Sequence, residues 1–125
     1  FFDAIIQVKQ GFQVARPEII SVLHQSLIDN QLIETVEIGL FTQAFTTAEG
    51  KIVWCKASNQ LGYLIRQMKN KGATLNNDNW KAAENIFVIK GKPVSGNSLK
   101  SGAEQITQNN QVLIDGIVEN LLSIH

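Results

Sequence analysis

Cysteine is almost absent from this 125-residue chain, in which Cys55 stands alone. No disulfide can form within the chain, and a solitary thiol fits a reducing, cytoplasmic setting better than an oxidising one. Histidine is nearly as scarce. His24 and His125 are far apart, and two imidazoles with one thiol could make a zinc site only with carboxylate help and unusual spacing. No metal and no cofactor are expected. Long apolar runs are missing too: charges or amides interrupt every candidate within about six residues, whereas a bilayer span needs about 20. A membrane span is excluded. Catalytic signatures are equally absent, with no Gly-x-Ser-x-Gly, no His-Glu-x-x-His and no Gly-x-x-x-x-Gly-Lys-Ser/Thr, so the chain is not expected to be an enzyme. Cys55 reads as a small, partly buried packing residue and His24 as a boundary residue beside an apolar stripe. Phe1 stands where a methionine would start a chain, which points to a fragment or a lost start, with any targeting segment upstream out of view.

What is present is an ordinary globular composition, 44% hydrophobic, sized for one domain over 1–125. Net charge is zero, yet the charges are unevenly spread. Residues 1–50 carry Lys9 and Arg16 against six acidic residues, a net of −4. Residues 51–101 carry nine basic residues against Asp78 and Glu84, a net of +7. The remainder holds only Glu104, Asp115 and Glu119.

The periodicity is mostly helical. "FFDAIIQVKQGF" reads as a helix ending near Gly11. "PEIISVLHQSLIDN" aligns Ile19, Ile20, Leu23, Leu27 and Ile28 behind Pro17, which suits a first helical turn. "IETVEIGLFTQAF" fits either a helix on Ile33, Val36, Leu40 and Ala44 or an alternating strand, with the helix preferred. "EGKIVW" reads as a turn and a short extended piece. The clearest helix is "SNQLGYLIRQMKNKG", with Leu61, Leu64, Ile65 and Met68 on one face, Ser58 as cap and Gly72 at the C′ position. "NNDNWKAAENIFVIKG" gives another, capped by Asn77 or Asp78, with Trp80, Ala83 and Phe87 on one core face. After a turn over 90–96, Ser95, Asn97 or Ser98 caps a helix bearing Leu99, Ala103 and Ile106. "QVLIDGIVENLLSI" (111–124) is a final helix, taken over 110–123, or the continuation of that one. If continuous, Leu99, Ala103, Ile106, Asn110, Leu113 and Ile117 form a short heptad-like seam, for which intramolecular packing is the preferred role.

The stretch "GKPVSGNSLKSG" (91–102) is no nucleotide loop, because it lacks a preceding strand and a Gly-Lys-Ser/Thr ending. It reads as a turn and a helix start. Lys69, Lys71, Lys81, Lys90, Lys92 and Lys100 fall on three successive short helices and the intervening turn, as phosphate contacts do in helix-turn-helix domains. The segment 51–108 is accordingly read as a basic helix-turn-helix-like module between acidic N-terminal helices and a C-terminal helix. The helix starting near Asn97 would be the reading helix, with Asn97, Ser98, Lys100 and Ser101 near its N-terminus and its free amides open to phosphate. Lys69, Lys81, Lys90 and Lys92 complete the candidate contacts. Trp54, Trp80 and Phe87 read as core, which argues against a base-stacking platform.

"KIVWCKASNQLGYLIRQMKNKG" followed by "NWKAAENIFVIKGKPVSGNSLK" resembles the C-terminal part of RteC-type proteins of Bacteroides-like mobile elements, over about residues 50–102. The matching features are Lys51 to Trp54, Ser58, Leu61, Leu64 to Gly72, Phe87, Gly91, Leu99 and Lys100. The resemblance implies a winged-helix-like or helix-turn-helix-like domain acting on DNA in the control of excision or transfer, and it carries over no catalytic residue. The expectation is thus a mainly α domain with at most a short strand pair, binding double-stranded DNA as a regulator. The alternative is a protein-interaction module, such as a homodimer formed through the C-terminal helix.

Overall fold

The computed structural model describes residues 11–76 and 78–122. The helix expected over 1–11, apart from its last residue Gly11, lies outside them, as do Asn77 as a cap and His125. The described chain is mainly helical, in the order α1 (Glu18–Asp29), α2 (Ile38–Thr47), β1 (Ile52–Trp54), α3 (Ser58–Asn70), α4 (Asn79–Ile86), β2 (Phe87–Ile89), β3 (Lys92–Pro93), α5 (Gly96–Ala103) and α6 (Gln108–Leu122).

Three strands replace the expected pair at most. β1 runs parallel to β2, with Ile52 opposite Phe87, and β2 turns back antiparallel on β3, with Val88 opposite Pro93. Parallel neighbours need a long crossover, here α3 and α4, so the pairing leaves no local trace in the sequence. The turn between β2 and β3 puts Lys90 at φ 54° and Gly91 at φ 78°, the two positive values that a tight hairpin turn requires. The expected helix from Asn79 therefore stops at Ile86. Phe87 belongs to the sheet, not to a helical face with Trp80 and Ala83, and the connection to α5 is a hairpin instead of a plain turn.

The ambiguous stretch at 33–45 divides. Ile33 bridges Trp54 in extended form, and the helix begins only at Ile38. Because Ile33 and Val36 lie before it, they do not set its phase. Phe41, Ala44 and Phe45 are buried, while Leu40 is 57% exposed. The two phenylalanines bury more apolar area than Leu40 could, and they stack in a row with Phe12, at centroid distances of 4.8 and 5.6 Å.

The stripe of α3 packs as its spacing predicts, with Leu61, Leu64, Ile65 and Met68 fully buried. Its end is closed by Gly72 at φ 82° and by the Ala73 amide bonding back to the Met68 carbonyl at 2.8 Å, which satisfies carbonyls that a helix end otherwise leaves open. Ser58 is the first helical residue, not a cap, since Ala57 holds that position and no side chain caps the helix. α3 is also where the fold is tightest. A Cβ on Gly62 would overlap the Leu99 carbonyl of α5, and one on Gly102 would sit 3.1 Å from the Asn59 Cα. Two glycines thus let the backbones of α3 and α5 approach closely.

α5 and α6 are separate helices. Glu104 ends α5, and α6 starts after Thr107, whose carbonyl accepts the Gln111 amide at 2.9 Å. The continuous seam over 97–123 is therefore not formed. α6 lies against α1 and α3 and buries Ile114, Ile117, Val118 and Leu121. Tyr63 of α3 donates its hydroxyl to Asp115 of α6 at 2.8 Å, and Gln67 donates to the same carboxylate oxygen at 3.1 Å. Burial, and then that hydrogen bond, push the Tyr63 phenol above its ordinary pKa, because both disfavour a second negative charge beside Asp115.

Candidate nucleic-acid interface

The basic segment folds so that the N-termini of α4 and α5 meet. Asp78 caps α4 by accepting the Lys81 amide at 3.0 Å, and Ser95 caps α5 by accepting the Ser98 amide at 3.1 Å. Gly96 packs on Trp80, leaving only 3.1 Å from where its Cβ would stand to the Trp80 Cβ. Trp80 is partly buried and packs against the edge of the core, so its reading as a core residue holds only in part.

Two shallow depressions flank Trp80. One, of about 350 Å³, lies where the two helix starts meet and takes its walls from Asp78, Lys81, Glu84, Asn97 and Lys100. The other, of about 190 Å³, lies among α3, α4 and α5 and is walled by Arg66, Lys69, Asn79, Lys100 and Glu104. Only Trp80 and Lys100 belong to both. The depressions differ in charge. In the first, two lysines face two carboxylates, and Lys81 pairs with Glu84 at 3.6 Å. In the second, three cations face Glu104 alone.

The expected contact residues therefore separate into groups. Lys81, Asn97 and Lys100 share the first depression, and Lys69 joins Lys100 in the second. Lys69 also donates its ammonium to the Asn76 carbonyl. Ser98 and Ser101 are exposed on α5, but the Ser98 amide is taken by Ser95, so the helix start offers fewer free amides than expected. Lys90 and Lys92 are exposed on the hairpin and border neither depression. Lys69, Lys90, Lys92 and Lys100 form no ion pair among the described residues.

Sequence reasoning did not place Trp80 or Arg66 among the candidate contacts. Arg66 lies over the Tyr63 ring, 5.3 Å from its centroid, an arrangement that holds the guanidinium in place. The available signal was an aromatic at a helix start inside a basic block. Cys55 proves exposed instead of partly buried. His24 sits beside Phe41, with ring centroids 5.1 Å apart, and its Nε2 is 2.6 Å from the Val36 carbonyl, in keeping with a boundary role. Among the described residues, no cluster of His, Cys, Asp and Glu could hold a metal, and no helix is long and apolar enough to cross a membrane.

Comparison with protein-family models, curated proteins and solved structures gives no match for this chain.

Proposed function

We propose that this protein binds double-stranded DNA, as a regulator, through the exposed face of α5. The observation that carries the reading is Lys100. It is an exposed lysine without an anionic partner among the described residues, on the same short helix as Asn97, and it stands where both depressions beside Trp80 meet. In this reading α3, α4, the β2–β3 hairpin and α5 form a winged-helix-like unit. α5 meets base edges through Asn97, Ser98 and Ser101, while Lys69, Lys81 and Lys100 contact phosphates. Lys90 and Lys92 reach the backbone from the hairpin. A lysine held at positive φ, where glycine or asparagine is usual, is a cost that a phosphate contact would explain. The resemblance of residues 50–102 to RteC-type proteins directs the reading towards control of mobile-element excision or transfer.

Fluorescence anisotropy with a labelled duplex tests it. Binding should weaken steeply between about 50 and 200 mM salt, and Lys100→Glu or Lys92→Glu should lower the salt slope by about one each. Absence of duplex binding at low salt, or indifference to both charge reversals, would refute the proposal.

A protein-interaction role has one observation in its favour. α6 spends its apolar stripe inside the chain but leaves Val112 65% and Leu122 41% exposed. Sedimentation of the wild type and a Val112→Glu variant decides it, since a homodimer through this helix would dissociate in the variant.

A further inference from the structure

The depression among α3, α4 and α5 differs from its neighbour in a way that duplex binding does not need. Its cations come from two helices: Arg66 and Lys69 from α3 and Lys100 from α5. Only Glu104 opposes them, so the hollow is left with an excess of two positive charges. That excess matches a phosphomonoester dianion, whereas the adjoining depression is charge-balanced, with Lys81 paired to Glu84. The walls are also held in position. Arg66 rests on Tyr63, Lys69 is tied to the Asn76 carbonyl, and Asn79, 5% exposed, donates to the Ile65 carbonyl at 3.1 Å. A group fixed before the ligand arrives loses less freedom on binding. Trp80 also lines the hollow, and its backbone and Cβ pack against Gly96.

We propose that this hollow binds a mononucleotide, its phosphate among Arg66, Lys69 and Lys100 and its base stacked on Trp80. Arg and Lys supply charge-assisted hydrogen bonds to phosphate oxygens, and an indole gives a stacking surface that tolerates any base. The inference does not rest on the duplex reading. It makes Lys100 common to both ligands, so a bound nucleotide would compete with duplex for that side chain.

The chain has two tryptophans, and Trp54 is fully buried, so a change in intrinsic fluorescence on adding ligand reports Trp80. Titration of the full chain with AMP should give a saturable change. AMP should bind about tenfold or more tightly than inorganic phosphate or ribose 5-phosphate, the margin expected from one stacked base. Lys100→Gln and Arg66→Gln should each weaken AMP about tenfold, and Lys56→Gln, on the exposed β1–α3 connection, should leave it unchanged. Followed by calorimetry, Trp80→Leu should bind AMP no better than ribose 5-phosphate. No saturation at millimolar AMP, equal affinity for AMP and inorganic phosphate, or wild-type affinity in Lys100→Gln would each overturn the proposal. Because the duplex and AMP titrations are separate measurements, either site can fail while the other stands.

Discussion

The two tryptophans occupy opposite kinds of surroundings. Trp54 lies at the end of β1 with no exposed surface. Its indole N–H donates to the Ala57 carbonyl at 3.0 Å, its ring meets Phe87 edge-on at 6.1 Å, and its backbone bridges Ile33. Every polar and apolar requirement of the side chain is met inside the fold. Trp80 lies in the first turn of α4, packs partly against the core, has one helix start packed on its backbone, and borders a depression on either side. Trp54 is sealed inside the fold, whereas Trp80 packs on the core with part of its surface left accessible. What separates them is the sheet, which closes over Trp54, and the glycine contact at Gly96, which stops short of covering Trp80.

This contrast is most directly challenged by truncating each ring. Trp54→Ala should lower stability by about 3–5 kcal/mol in urea denaturation, as loss of a fully buried aromatic does, while Trp80→Ala should cost about 1 kcal/mol or less. Equal losses would make Trp80 wholly part of the core and remove the basis for the stacked base.

The open region depends on how closely α5 lies on α3. Gly62→Ala forces a methyl into the Leu99 carbonyl and should destabilise by about 3 kcal/mol, since backbone has little freedom to yield. Gly116→Ala, in α6 with open space around the added methyl, should instead stabilise by about 0.5–1 kcal/mol through helix propensity. Calorimetric melts of the pair would show whether the close crossing, and not glycine in a helix as such, sets the cost.

On the sealed side, Tyr63 is the only tyrosine, so its phenolate absorbance can be followed directly. Its raised pKa means that the folded chain holds the neutral phenol more strongly than the unfolded chain does. The associated stability is therefore complete at neutral pH and is lost as pH rises past the ordinary phenol range and through the raised value. Alkaline titration should give a late midpoint with loss of fold close behind it, and Asp115→Asn should bring the midpoint down. An ordinary midpoint in the wild type would show that α6 does not close over Tyr63.

The smallest effect is expected at the hairpin tip. Lys90→Gly removes a side chain from the left-handed region, worth roughly 1–2 kcal/mol, and returns part of that as unfolded-chain entropy, for a net gain of about 0.5 kcal/mol. A more stable variant that binds duplex less well would place Lys90 in the open region's function. Unchanged duplex binding would confine that function to α5.

Several local features could be read directly from the chain. α3 and its Gly72 end, the turn before β1 and the break near 90–96 follow from spacing and propensity within a few residues, and the caps Asp78 and Ser95 were each among the alternatives named. The candidate site was legible in part. Lys100 and Asn97 do share one short helix, with Lys100 in its last turn instead of near its start, and Trp80 was read as fully core because an aromatic with helical spacing gives no sign of how completely it will be covered.

The sequence by itself determined that α1 and α3 form, that charge is concentrated between residues 51 and 101, and that no disulfide can form within the chain. These properties are set by neighbours a few positions away, through hydrogen bonds and side-chain periodicity. Only the tertiary structure decided that β1 pairs with β2, that Phe41 and Phe45 displace Leu40 from the core, that α5 and α6 separate, and that three cations and one indole border the same hollow. Each of those outcomes depends on packing between residues distant in the chain, and pattern within a segment carries no record of its eventual partner.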